Sequence, residues 1–209
     1  MYEEERRELL DTCLKMLELD LLAGSAGNAS VRVDDHAVIT PSSVPYIEMK
    51  PEDMMVLDLE GNVVEGDLNP SVEHRIHLAL YRNRDDAQAV LHPHSVYATA
   101  LALLQRPLPP ILDEVVPKLG GEIRVTSYAM PGSTELANEV VGAIEDRSAV
   151  LIANHGALVI GSSLSKALSK SLLLERTCRI YLIALQAGKP TELPEEIVEM
   201  EQDLWDLMK

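Results

Sequence analysis

The triplet His92-Pro93-His94 closes the short apolar run Ala89-Val90-Leu91, and it constrains the fold more than any other stretch of the chain. Proline has no N–H to give a sheet ladder, so the run reads as a buried strand that ends, or meets an edge, at this point. Residues two apart in a strand point to the same face, so His92 and His94 can reach one cation together. A third histidine, in Asn154-His155-Gly156, ends another apolar run at residues 149–153 and can close the set from a neighbouring strand. Gly156 lets the backbone turn sharply just past it. Three imidazoles leave one position of a tetrahedral zinc ion open, which is the layout of a catalytic site and not a structural one. The same donors also suit Mn²⁺, Co²⁺ or Fe²⁺.

Around these histidines the chain alternates helical and extended patterns. Leu10, Cys13, Leu14, Leu17 and Leu21 repeat at helical spacing within residues 2–22. Gly24 to Ser30 then turns the chain. Residues 31–33 and 37–40 read as a hairpin about Asp34-Asp35, and residues 55–59 and 63–65 as a second one about Gly61. Pro51-Glu52-Asp53 opens a short helical turn. Further helices are predicted over 71–82, 95–104, 134–144, 164–187 and 194–208, and further strands over 89–92, 123–125, 149–153 and 157–160. There is no internal repeat, low-complexity segment or linker, so residues 1–209 read as a single domain. Helices interleaved with hairpins imply an α/β protein with a central, largely antiparallel or mixed sheet covered on both faces.

Composition narrows the function. Hydrophobic residues make up 46%, enough for a sizeable core, but Phe is absent, so Leu, Ile, Val, Ala and Met must fill it. A net charge of −16 opposes binding to nucleic acid or anionic membranes. The apolar runs are far short of a membrane span, and no secretory leader is visible. Cys13 and Cys178 are far apart and form no Cys-x-x-Cys motif, as expected of reduced thiols in a cytoplasmic protein.

Glu73 falls near the start of the helix predicted after Pro70-Ser71. With Ser71 as the cap, a glutamate in the first turn is favoured by the helix dipole alone. Beside a three-histidine metal, the same carboxylate can be a fourth ligand, a proton shuttle, or both in turn. His74 and His77 share one helix face, which suits the helix surface or a supporting contact better than metal binding. His36 is expected to be exposed in its turn. Gly27-Asn28, Ser42-Ser43 and Ser71 offer backbone N–H groups and short donors able to hold a phosphate or carboxylate without lysine. No Walker or Rossmann glycine motif occurs.

Taken in order, Gly24-Ser-Ala-Gly-Asn-Ala-Ser-Val-Arg32, Ile39-Thr-Pro-Ser-Ser43, Pro70-Ser-Val-Glu73, His92-Pro-His94 and Asn154-His-Gly156 give a pattern covering nearly the whole chain. It resembles the class II aldolase/adducin family, which contains L-fuculose-1-phosphate aldolase, L-ribulose-5-phosphate 4-epimerase and methylthioribulose-1-phosphate dehydratase. The resemblance implies a three-layer α/β/α fold around a mostly antiparallel sheet, assembled as a homotetramer. It implies zinc held by His92, His94 and His155, and an acid/base residue, Glu73, that also ligates the metal when no substrate is bound. It assigns Gly27, Asn28, Ser42, Ser43, Ser71 and Val72 to the substrate phosphate. The implied activity is cleavage of a small ketose 1-phosphate to dihydroxyacetone phosphate and an aldehyde through an enediolate. Epimerase, dehydratase or decarboxylase chemistry, or a non-catalytic assembly role, is the alternative. The chain departs from the aldolase pattern in three places. Val72 stands where a serine is usual and Ser43 where a glycine is usual. Asp113-Glu114 occupies the region of a tyrosine that enters the neighbouring subunit's site.

Overall fold

A computed structural model describes residues 1–208. Seven strands form one sheet in the order β4-β3-β2-β1-β5-β7-β6. They are β1 (Asn28–Val33), β2 (His36–Ile39), β3 (Met55–Asp58), β4 (Val63–Glu65), β5 (Ala89–His92), β6 (Ala149–Ile152) and β7 (Gly156–Gly161). Every pairing in it is antiparallel. A single parallel bridge, Val125 to Leu151, lies outside the named strands.

The helices are α1 (Glu3–Glu18), α2 (His74–Asn83), α3 (Val96–Leu103), α4 (Val115–Leu119), α5 (Thr134–Ile144), α6 (Leu164–Ala187) and α7 (Glu195–Met208). Alternation along the strands sorts the core into two faces. On one face Ile39, Leu57, Val90, Val150 and Leu158 pack with Ile76 and Leu80 of α2 and Leu136 and Val140 of α5. On the other, Val38, Val56 and Leu91 meet Leu9, Cys13 and Met16 of α1, while Leu151 and Val159 meet α3, α4 and Leu174 of α6. The result is the three-layer α/β/α architecture expected from the sequence. Both cysteines are buried and free. No helix among the described residues is long and apolar enough to cross a membrane.

Several local expectations change. Residues 123–125 are not a strand but make two isolated bridges, Leu108 to Ile123 and Val125 to Leu151. Three residues at the sheet margin form too few ladder bonds to extend it. The short helix α4 had no periodic signal, because Pro117 and two valines fill most of its single turn. Strand β1 begins at Asn28, three residues earlier than alternation suggested, because Asn28 pairs with His92 and Ser30 with Val90. Helix α2 starts at His74, leaving Glu73 at its cap position instead of in its first turn. The cause is upstream. Ser71 N–H bonds the Thr40 carbonyl at 3.1 Å, and Pro41 bridges Pro70, which ties the approach to the end of β2. Ser71 Oγ then accepts the Glu73 N–H at 3.2 Å. His36 is half-buried, with Nδ1 2.9 Å from the Tyr2 hydroxyl.

Candidate metal centre and substrate cavity

The end of β5, the start of β1 and the tip of the β6–β7 hairpin meet at one end of the sheet's inner strands, beside the start of α2. His92 is the last residue of β5, and His94 follows the strand, held by its N–H to the Leu21 carbonyl at 3.0 Å. The three-residue tip between Ile152 and Gly156 presents His155. Asn154 takes a left-handed φ of 58° there, a conformation that asparagine tolerates better than most residues. Gly156 admits no side chain, since a Cβ would lie 2.7 Å from the Pro93 carbonyl oxygen. At Gly27, φ is +79° and a Cβ would lie 2.5 Å from the His92 carbonyl oxygen. These two glycines let the histidine-bearing segments close up.

The convergence is tight. Nε2 of His92 lies 2.9 Å from Nε2 of His94 and 3.4 Å from Nε2 of His155. Glu73 Oε2 is 3.1 Å from His92 Nε2, and Glu73 Oε1 is 3.6 Å from His155 Nε2. One ligand atom from each of the four residues falls within 4.8 Å of all the others. Nitrogens sharing a tetrahedral zinc at ~2.0–2.1 Å stand roughly 3.4 Å apart, so the rings are spaced as ligands of one ion are.

Proton placement gives the same answer. His92 Nδ1 is 2.7 Å from the Ala157 carbonyl, which can only accept, so Nδ1 carries the hydrogen and the neutral ring turns a bare Nε2 lone pair inward. Glu73 is 5% exposed, and its Oε1 is buried with no hydrogen-bond partner. Lone pairs and a carboxylate facing one point repel each other unless a cation lies among them. A divalent ion fits this donor set.

The electrostatics reflect that crowding. Burial opposes charge on Glu73, but His92, His155 and the Asn28 amide outweigh it and hold the carboxyl far below its usual range. Burial likewise opposes the His92 cation, yet Glu73 raises that ring above the ordinary imidazole value. His94 is pushed down to about 3 by burial and then by His92 and His155. His155 is lowered by burial and by His92.

Beside the four residues lies a cavity of about 260 Å³. Gly27, Asn28, Ser42, Ser43, Ser71 and Val72 line it, together with Glu73, His94 and His155. The three histidines, Glu73 and the six residues assigned to the phosphate therefore lie together, with His92 sealed behind the cavity at 0% exposure. Ser25, Ala26, Pro41 and Pro131 complete the wall. Pro131 was legible only as a loop residue, because nothing in its local sequence shows that Gly132 packs on the Val72 backbone. Among the described residues, no lysine or arginine lines the cavity. Asp113 and Glu114 do not line it either. Glu114 pairs with Lys118 at 3.6 Å and with Arg176.

A supporting layer lies beneath. His77 is wholly buried, its Nε2 2.5 Å from Asn28 Oδ1 and its Nδ1 2.7 Å from Ser30 Oγ, so it belongs to the supporting layer and not to the helix surface. His74 is half-buried, with Nδ1 on the Ser71 carbonyl at 2.8 Å.

Comparison with known proteins adds to this geometry. The family described as the class II aldolase and adducin N-terminal domain matches residues 7–182. The chain is 39% identical over 184 residues to L-fuculose phosphate aldolase of Escherichia coli O6:H1, covering 88% of this chain and 85% of that protein. It is 37% identical over 185 residues to 3-oxo-tetronate 4-phosphate decarboxylase of Haemophilus influenzae, covering 85% and 87%. A solved structure of L-fuculose 1-phosphate aldolase superposes with a TM-score of 0.93 at 38% identity, over 97% of this chain and 96% of that one.

Proposed function

The chain belongs to the class II aldolase and adducin family, and from that premise we propose that it is a zinc-dependent aldehyde-lyase. Its substrate in this reading is a small ketose 1-phosphate, cleaved to dihydroxyacetone phosphate and an aldehyde. The observation that carries the reading is the shared cavity, in which buried Glu73 and His92 and half-buried His94 and His155 stand beside a wall of serines and glycine.

His92, His94, His155 and, before substrate enters, Glu73 would hold the ion. A divalent cation there supplies Lewis-acid polarisation of a substrate carbonyl oxygen, the electron-sink role that a Schiff-base lysine plays in other aldolases. Among the described residues no lysine lines this cavity, which supports the metal route over an imine.

The remaining work falls to the chain's own groups. Gly27, Asn28, Ser42, Ser43, Ser71 and Val72 surround the phosphate with backbone N–H groups and short hydroxyls, the kind of donor set that binds phosphate without a cation. Anchoring one end of the ketose aligns the bond to be broken. Glu73 Oε2 accepts from Asn28 while Oε1 has no partner, so Oε1 is the oxygen free to take the proton from the hydroxyl beside the scissile bond. The retro-aldol step balances with that proton on Glu73 and the bonding pair left on the dihydroxyacetone phosphate half, which is then protonated.

The similarity to a decarboxylase supports a second reading, in which the same residues bind a phosphorylated keto acid that loses CO₂. The protein in this proposal is cytoplasmic and assembles as a homotetramer. Val96, Leu103, Leu104, Tyr128 and Met130, all more than half exposed, are apolar surface suited to subunit contacts. Incubation of the zinc-loaded protein with fuculose 1-phosphate, ribulose 1-phosphate and 3-oxo-tetronate 4-phosphate, with products resolved by ³¹P and ¹³C NMR, tests the proposal. An aldehyde released together with dihydroxyacetone phosphate from either ketose 1-phosphate supports the aldolase reading, CO₂ released with dihydroxyacetone phosphate from the keto acid supports the decarboxylase, and no turnover of any of the three overturns both.

A further inference from the structure

Beneath the cavity, five buried polar side chains touch in single file. Glu73, His77 and Tyr81 are spaced four apart and share one face of α2, and Asn28 and Ser30 alternate on the facing side of β1. None is more than 5% exposed. The contacts are Glu73 Oε2 to Asn28 Nδ2 at 2.9 Å, Asn28 Oδ1 to His77 Nε2 at 2.5 Å, His77 Nδ1 to Ser30 Oγ at 2.7 Å, and Ser30 Oγ to Tyr81 Oη at 2.6 Å.

Chemistry fixes the direction of every bond in the file. A carboxylate only accepts, so Asn28 must turn its NH₂ toward Glu73 and its carbonyl oxygen toward His77. That oxygen also only accepts, so His77 Nε2 carries a hydrogen. A neutral His77 then has a bare Nδ1, which must receive the Ser30 hydroxyl hydrogen. Ser30 in turn accepts from the Tyr81 hydroxyl. The file runs one way, from Tyr81 to Glu73, and a reversed amide at Asn28 would set two acceptors against each other at its Glu73 end.

Resting on the reading of Glu73 as the acid/base group, we propose that His77, Ser30 and Tyr81 are positioning residues that lock the Asn28 amide and thereby dedicate Glu73 Oε2 to it, leaving Oε1 for the substrate. Burying five polar groups is costly unless each is satisfied. Ile76 and Leu80, neighbouring positions of the same helix, show that apolar side chains pack under α2 without such a file. The helix therefore holds one polar row among apolar neighbours, and that row ends on the carboxylate.

Two measurements test this. In ¹⁵N-histidine-labelled protein, with and without zinc, His77 is expected to show a protonated Nε2 and an unprotonated Nδ1, its signals identified by their loss in His77→Gln. The Nδ1–H tautomer, an imidazolium, or rapid mixing of tautomers overturns the proposal. Kinetics on whichever phosphate the wild type turns over gives the second arm. His77→Leu, which cannot donate to Asn28, is expected to lower kcat by about 10–100-fold with KM and zinc stoichiometry unchanged, as loss of a supporting contact does. His77→Gln, which restores an N–H, is expected to recover most of that rate. Equal rates in both variants, high or low, or a change confined to KM, overturns the proposal. If the wild type turns over none of the phosphates, the functional reading fails, and the tautomer measurement alone decides whether the file is directed as described.

Discussion

Glu73 Oε2 stands 3.1 Å from Nε2 of His92, so the carboxylate sits directly against a nitrogen whose lone pair the Ala157 carbonyl turns inward. One residue is thus placed both to complete a cation's ligand shell and to act on a molecule that displaces it. Glu73→Gln separates these duties. The amide keeps the shape and one oxygen but cannot take a proton at working pH. Zinc content is expected to stay near the wild-type level while kcat falls by about 10²–10⁴-fold, the range for loss of a general base. Metal analysis and steady-state rates on the same preparation check it, and a fully active variant would remove Glu73 from the chemistry.

His92 has no exposed surface and meets all three other members of the cluster. His92→Ala is expected to lose both the metal and the activity, whereas His74→Ala is expected to keep both, because the His74 ring bonds the Ser71 carbonyl outside the cluster. Zinc quantified after dialysis against a limiting zinc buffer distinguishes the two. Chelation of the wild type should mimic His92→Ala, and added Zn²⁺ should reverse only the chelated protein.

Metal affinity should depend on pH with a definite sign. Glu73 raises His92 above its ordinary value of 6.5, so below that raised value the metal-free protein holds a proton that the ion must expel. His94 is held down to about 3 and stays neutral there, and His155 is lowered as well. Affinity should therefore rise with pH up to the raised value of His92 and level off once that ring is neutral. Calorimetric titrations in two buffers of different ionisation enthalpy should report close to one proton released at about pH 6, declining at higher pH. Release of three protons, or none at any pH, would contradict this assignment.

Ser43 occupies a backbone position with φ of +63°. A side chain in that region costs roughly 1–2 kcal/mol, partly offset by the greater freedom that glycine has in the unfolded chain. Ser43→Gly is thus expected to leave the fold as stable or up to about 1 kcal/mol more stable, in contrast to most changes at a binding site. Denaturant unfolding measures it. A loss of more than about 1 kcal/mol would show that the hydroxyl, 3.3 Å from that of Ser42, matters more than the backbone.

The sheet and most helices were legible because periodicity is local: the 134–144 and 164–187 helices keep their predicted bounds, and the hairpin about Asp34-Asp35 forms as its alternation requires. The histidines were legible because a strand end and a hairpin tip announce themselves through Pro93 and Gly156. What escaped was set by distant contacts. Glu73 sits at the cap of α2 because Ser71 is tied to Thr40, a bond that no window of sequence contains. The burial of His77 could have been suspected from the four-residue spacing Glu73, His77, Tyr81, but the Asn28 and Ser30 that satisfy it lie more than forty residues away.

The hairpin tip carrying His155 comes 63 residues after His92 in the chain. A polypeptide leaving the ribosome has therefore already released Asn28, Glu73, His92 and His94 before the final imidazole exists. An ion arriving early finds only part of its coordination shell, and β7 must dock on β5 before the shell closes. On the proposed function, loading with metal is in this sense a late event of biosynthesis, reporting that the two halves of the sheet have joined.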